Sequence, residues 1–201
     1  MKALPHFLLL VAWMSASQLK ADLVSDLSVK ATAGDLVSQV ELGNLFSKGQ
    51  GVAKDDKEAI KWYLLAAAQG NLDAQMFLGG IYIRGKSVPK NSAEAAKWYL
   101  MAAEQGNAEA QCQVGRMHMV GAGVPKDDAQ AYRWSSMAAA QGNMPAKTVL
   151  MVLEKRMSEE QIAAAKLLNQ DLMELKKLDL PGAGDPPVEP IKPEAVEPDA
   201  N

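Results

Sequence analysis

The amino-acid sequence predicts an all-α chain, an α/α solenoid of three 36-residue helix-turn-helix repeats closed by a C-terminal capping unit. Three observations predict it. Trp62, Trp98 and Trp134 recur at a spacing of 36. Gly34, Gly70, Gly106 and Gly142 keep the same period, as do Gly43, Gly79 and Gly115, and Gly49, Gly85 and Gly121. Residues 34–69 and 70–105 agree at 17 of 36 positions, and 70–105 and 106–141 at 16. A fixed period of this length is the mark of stacked supersecondary units, none of which buries its apolar face alone.

Residues 1–21 read as a secretory leader. Lys2 supplies the positive start, Phe7 to Met14 a short apolar stretch, and Ser15-Ala16-Ser17 or Ala21 a small-residue cleavage site. That stretch is far shorter than the roughly 20 residues that cross a bilayer. Residues 22–33, with Leu23, Val24, Leu27 and Ala31, are expected to form an N-terminal cap helix. The repeats follow at 34–69, 70–105 and 106–141. In the second, the first helix is expected from Asn71, an N-cap, to Arg84, with Gly85 as a left-handed stop. The second helix starts at Asn91, and Glu94 three residues on completes the pattern of a capping box. Asp55 with Glu58 and Asp127 with Gln130 repeat it. Gly70, Gly106 and Gly142 end the second helices.

Within those helices Ala59, Trp62, Tyr63, Ala66 and Ala67 share one face. Gly43, Gly79 and Gly115 fall in mid-helix, where glycine costs about 1 kcal/mol against alanine. A cost repeated three times implies a close neighbour, and the sequence suggests room for the large tryptophan. Residues 142–177 read as a degenerate repeat and capping helix. Pro145 falls in a first turn, Ser158-Glu159-Glu160-Gln161 forms another capping box, and Ile162, Ala165, Leu168 and Leu172 follow at helical spacing. Residues 178–201 hold six of the ten prolines together with six acids and one Lys, the composition of a disordered tail.

The string Leu78-Gly79, Tyr82, Gly85, Val88-Pro89-Lys90-Asn91, Ala95, Lys97-Trp98-Tyr99, Ala102-Ala103, Gln105-Gly106 resembles the Sel1-like repeat, a relative of the tetratricopeptide repeat. The resemblance covers 34–141 and fades toward 177. It implies an α/α solenoid that serves as adaptor or regulator in protein complexes. Departures are local: Ser38 stands where the other units have Ala74 and Ala110, Ala53 replaces the proline, and Ser135 and His118 replace aromatic residues.

Composition and charge exclude some roles. The net charge is −3, residues 34–141 balance at 11 basic and 11 acidic residues, and no basic stripe favours nucleic acid. One cysteine, Cys112, permits neither an internal disulfide nor a multi-thiolate zinc site. His118 takes the position of Phe46 and Tyr82 and is expected to pack as a substitute for an aromatic ring; Cys112 matches Val40 and Met76 and is expected to be a buried hydrophobe. The two lie six residues apart, about 600° around a helix, which points them to different faces. Asp55-Asp56 and Asp127-Asp128 are accounted for by N-capping, and the glycines lack the Lys-Ser/Thr of a phosphate loop. No catalytic residue, cofactor or metal ligand is therefore assigned, and the chain is not expected to be an enzyme. The alternative that the resemblance offers, an envelope hydrolase of the cysteine-rich β-lactamase-like Sel1 type, is weakened by the single cysteine.

Positions that hold the fold repeat, whereas positions that meet a partner are free to vary. On the first helix of each repeat, one face reads Val37, Glu41, Asn44, Lys48, then Asp73, Phe77, Gly80, Arg84, then Glu109, Gln113, Arg116, Val120. In related solenoids the corresponding helices line the concave surface. Glu41, Lys48, Phe77, Arg84, Gln113 and Arg116 are thus the expected contacts for a protein partner, with no nucleic acid and no membrane insertion. The expected location is periplasmic or secreted, and self-assembly is the third reading.

Overall fold

The computed structural model describes residues 21–177; the side chains of 169–177 are not among those described. The leader expected over 1–21, apart from its last residue, and the proline-rich tail 178–201 lie outside the described residues. Among the described residues every regular element is helical. Helix α1 covers 21–32. It is followed by α2 (Leu36–Lys48), α3 (Asp56–Ala68), α4 (Leu72–Arg84), α5 (Ser92–Glu104), α6 (Ala108–Val120), α7 (Asp128–Ala140), α8 (Met144–Glu154) and α9 (Glu159–Lys177). The six helices from α2 to α7 are each 13 residues long, as a strict period requires. This is the all-α repeat class that the sequence predicts. The chain divides into two compact units, one ending at Ala74 and the next beginning at Gln75.

The caps explain the boundaries. Asp35, Asn107 and Asn143 each accept from the backbone N–H three residues on, at 2.8–2.9 Å, and open α2, α6 and α8. Gly49 and Gly121, at φ 69° and 75°, close α2 and α6 in the left-handed conformation. The second helices begin differently from the expectation. Asn91 accepts from the N–H groups of Ala93 and Glu94, but Glu94 does not reach back; it pairs with Lys97 instead. The Asn91 N–H donates to the carbonyl of Tyr82 at 3.0 Å. Asp55 bonds Phe46 and Asp127 bonds His118 in the same way. The loop is thus tied to the preceding helix, which leaves the return half of the box without a donor. The fourth box is complete, since Ser158 N–H donates to Gln161 Oε1 and Gln161 N–H to Ser158 Oγ.

In the first unit Leu27 and Ala31 of α1 are buried with Leu42 of α2, against Val24, Leu45, Phe46 and Trp62. In the second unit α7 meets α6, α8 and α9. Its end is sealed by Ala131, Tyr132, Val149, Leu153, Met157 and Ala165, with Ile162 half-buried beside them. Leu168, placed on the packed face by its spacing, is instead 39% exposed, because α9 turns that side to solvent. The close approach at the mid-helix glycines is real, but the neighbour differs from the expected tryptophan. A Cβ on Gly43 would sit 2.8 Å from the Tyr63 ring, and one on Gly79 would sit 2.7 Å from the Tyr99 ring. The residue after each tryptophan therefore fills the space. In the third repeat that residue is Ser135, and the backbone of α7 itself comes within 3.2 Å of a Cβ built on Gly115.

A buried amide ladder repeats with the same period. Gln39 donates to Ala31 carbonyl and accepts from Gln69; Gln111 donates to Ala103 carbonyl and accepts from Gln141. Gln105 donates to Gln75 at 2.7 Å. Each pair ties the end of a second helix to the start of the first helix of its own repeat. Buried amides of this kind are costly unless satisfied, so they fix register as well as stability.

Candidate functional site

On α2, Val37 is 71% exposed, Glu41 and Lys48 are exposed, and Asn44 is half-buried, its side-chain oxygen accepting from the Tyr63 hydroxyl at 3.0 Å. Glu41 and Lys48 therefore stand free of the core, and both belong to the first compact unit. Phe77, Arg84, Gln113 and Arg116 belong to the second. Phe77 and Gln113 are half-buried, and Arg84 and Arg116 are exposed.

The second unit brings Gln113 and Arg116 together. They line a cleft of about 240 Å³ with Ile83, Tyr99, Met119 and Val120. Arg116 is also a wall of a neighbouring cleft of about 380 Å³, shared with Met119, Pro145, Thr148 and Val152. One arginine thus stands between two shallow, mainly apolar depressions. Two of the apolar wall residues are themselves exposed, Val120 at 64% and Val152 at 46%. Helical geometry explains the arrangement. Gln113, Arg116 and Val120 are three and four residues apart on α6, so they stack along one face. Pro145, Val149 and Val152 fall on α8 at the same register, 36 residues after Glu109, Gln113 and Arg116.

Charge on this face is partly committed. Gln113 donates to Glu109 at 2.7 Å and Asn143 donates to the other oxygen of Glu109 at 3.3 Å. Arg84 folds back over Gly80, where its Nη1 would lie 2.9 Å from an added Cβ. It also lies near Tyr99, whose hydroxyl is held above its ordinary pKa mainly by burial, with Arg84 pulling it down and Glu109 pushing it up. Neither Arg84 nor Arg116 forms an ion pair among the described residues.

The candidate chemistry is quiet. Cys112 is 1% exposed, packed with Ala138 and Ala146, and burial raises its thiol pKa, with Glu109 adding to the rise and Arg116 opposing it. His118 is half-buried, with Nδ1 3.2 Å from the carbonyl oxygen of Pro125, so it braces the loop before α7. Asp55 and Asp127 are N-caps. Among the described residues no three His, Cys, Asp or Glu side chains are gathered to hold a metal, and no helix is long and apolar enough to cross a membrane.

Sequence reasoning missed Ile83, Met119, Pro145, Thr148 and Val152. The register of the varied face, extended by one period into α8, would have found Pro145 and Val152. Ile83 and Met119 lie one position off that face, and only the cleft walls reveal them.

The Sel1 repeat family profile matches residues 36–71, 72–107 and 108–143, together 108 of the 201 residues. Each match starts two residues after the glycine that opens a unit. A Sel1 repeat protein of Oxalobacter formigenes, known by crystal structure, is 40% identical, with a TM-score of 0.58, over 63% of this chain and 96% of that one. A protective antigen present in uropathogenic Escherichia coli strains, with an SLR fold, is 28% identical with a TM-score of 0.52. That match covers 82% of this chain but only 45% of the antigen. No curated protein matches the chain.

Proposed function

The chain belongs to the Sel1 repeat family, and from that premise we propose that it is an exported adaptor that holds a protein partner on the varied face of its first-in-repeat helices. Proteins built from Sel1 repeats generally mediate protein–protein interaction. One observation carries the reading to residues: Arg116 is exposed between two apolar clefts, on a face whose neighbours in the fold repeat while it varies. An arginine ringed by apolar surface is the kind of anchor that supplies binding energy. Phe77, Arg84 and Gln113 complete the contacts on the second unit, and Glu41 and Lys48 hold the same repeat positions on the first. Export is supported by the leader-like residues 1–21, and the likeness to a protective antigen agrees with a location that an immune response can reach.

The test is affinity capture from an envelope extract with residues 22–201 as bait, beside a Phe77→Ala, Arg84→Glu, Arg116→Glu variant shown by circular dichroism to be folded. A protein held by the native bait and lost from the variant supports both role and face. Equal capture by both baits moves the site elsewhere. Specific capture by neither, even with cross-linking, sinks the adaptor reading.

A further inference from the structure

We propose that the clefts at Arg116 are covered by the chain's own acidic, proline-rich segment 178–201, which competes there with the partner. The inference rests on the reading that this face is where partners dock, and it adds how access to the face is regulated.

Charge points to this occupant. Residues 178–201 carry six acids and one Lys, a net −5, whereas the whole chain carries −3. Residues 1–21 carry Lys2 and Lys20 and no acid, so the mature body 22–177 is neutral: −3 − (−5) − 2 = 0. Arg116 is the one charged residue that lines either cleft, and it forms no ion pair among the described residues, while the Glu109 carboxylate on the same helix accepts from Gln113 and Asn143. The clefts thus hold one unpaired positive charge for the acids of the segment to meet.

The apolar chemistry also matches. The segment interleaves acids with apolar residues, as in Val188-Glu189-Pro190-Ile191 and Ala195-Val196-Glu197-Pro198. Proline-rich sequence favours an extended backbone whose ordering costs little entropy. Such a strand suits shallow clefts walled by Met119, Val120, Pro145 and Val152, with an acid beside Arg116. Length permits it. The segment follows α9, which packs on α7, and α7 packs on both α6 and α8. Its 24 residues reach about 75 Å when extended at ~3.1 Å each, against ~10 Å between packed helices. Tethering sets an effective concentration on the order of 1 mM, so even a weak contact of ~0.1 mM would weaken partner binding about tenfold.

The experiment uses the full mature chain with Ala195→Cys carrying a nitroxide label; Cys112 is buried, and the native chain put through the same labelling is the control for its reaction. Paramagnetic broadening of backbone amides is read in a dilute ¹⁵N sample. The proposal expects the amides of residues 113–120 and 146–152 to lose at least half their intensity. It further expects recovery in Arg116→Glu and in Glu194→Gln, Glu197→Gln, whose unlabelled spectra remain native. No broadening, broadening centred elsewhere, or broadening unchanged by Arg116→Glu overturns it. Broadening that appears only when labelled and ¹⁵N chains are mixed assigns the contact to a second copy and also overturns it. Partner capture separates the two readings. If Arg116→Glu loses the partner while no tail contact is seen, the docking face stands and the tail proposal alone fails.

Discussion

Adjacent glycines on α4 give a matched pair with opposite expected outcomes. Replacing Gly79 or Gly80 by alanine gains helix propensity in either case, about 1 kcal/mol. What the new methyl group meets differs. At Gly79 it would lie 2.7, 2.8 and 2.9 Å from three atoms of the Tyr99 ring, which is only 7% exposed and has little room to retreat. Ordinary contact would need the ring to shift by roughly 0.7 Å, and overpacking of that kind costs about 1–3 kcal/mol. At Gly80 the three nearest atoms all belong to the end of the Arg84 side chain, which can swing into solvent. Gly79→Ala should therefore destabilise the chain by about 1 kcal/mol, and Gly80→Ala should stabilise it by about 0.5–1 kcal/mol. For a chain of this size the two thermal midpoints should differ by roughly 4–8 °C. Circular dichroism melts at 222 nm read the difference. If Gly79→Ala proves as stable as Gly80→Ala, the close approach of Tyr99 is not what holds glycine there.

The caps and the amide ladder give further tests. Asn91→Ala should cost about 1 kcal/mol in urea denaturation, whereas Glu94→Ala should cost about half as much, since Glu94 makes one half-buried pair with Lys97 and no return bond to Asn91; equal costs would restore the capping box. Gln105→Ala leaves the buried Gln75 oxygen without that donor and should cost about 1–3 kcal/mol by the same assay. Burial holds Cys112, Tyr63, Tyr82 and Tyr99 above their ordinary values of 9.0 and 10.0. The folded chain therefore keeps protons that the unfolded chain releases. The contribution is complete below pH 9 and is lost as pH rises through the raised values. Urea midpoints should fall from about pH 9, and Cys112→Ala should delay the onset toward pH 10; midpoints level to pH 11 would contradict this.

Much of the fold was legible because the residues that build it recur. Trp98, Gly85 and Gly106 announce their roles through period alone, and the N-caps at Asn71, Asn91 and Asp127 follow from residue type and position. The details that escaped depend on geometry between helices. Gly79 signals a close neighbour, but whether Trp98 or Tyr99 fills the space depends on the rotation of α5, which the period does not encode. Gln75 and Gln111 repeat as faithfully as the glycines, yet glutamine is ordinarily an exposed residue, so its recurrence gave no hint of a buried ladder. Glu94 has the spacing of a box partner, and the competing bond from Asn91 to Tyr82 exists only once the loop has folded back.

The candidate site inverts this logic. A solenoid's period reports what every repeat must share, so a partner surface can be read only from where repeats are free to differ. That freedom is itself structural: the positions of Glu41 and Arg116 lie at or near the surface in most repeats and vary, whereas Leu42 and Leu78 are fully buried and keep their type. Variation alone does not distinguish a docking face from idle solvent surface. The repeat position of Lys61 is exposed in α3, yet its counterpart Arg133 is 4% exposed in α7, its guanidinium 4.7 Å from the centre of the Trp134 ring. The same position thus faces solvent in one repeat and lies inside in another. The varied face at Arg116 stands apart from idle surface because the end unit extends it, placing Pro145 and Val152 beside an arginine and making a second cleft next to the one within the repeats. The degenerate fourth unit, which carries the weakest trace of the period, is therefore what gives the candidate site its shape.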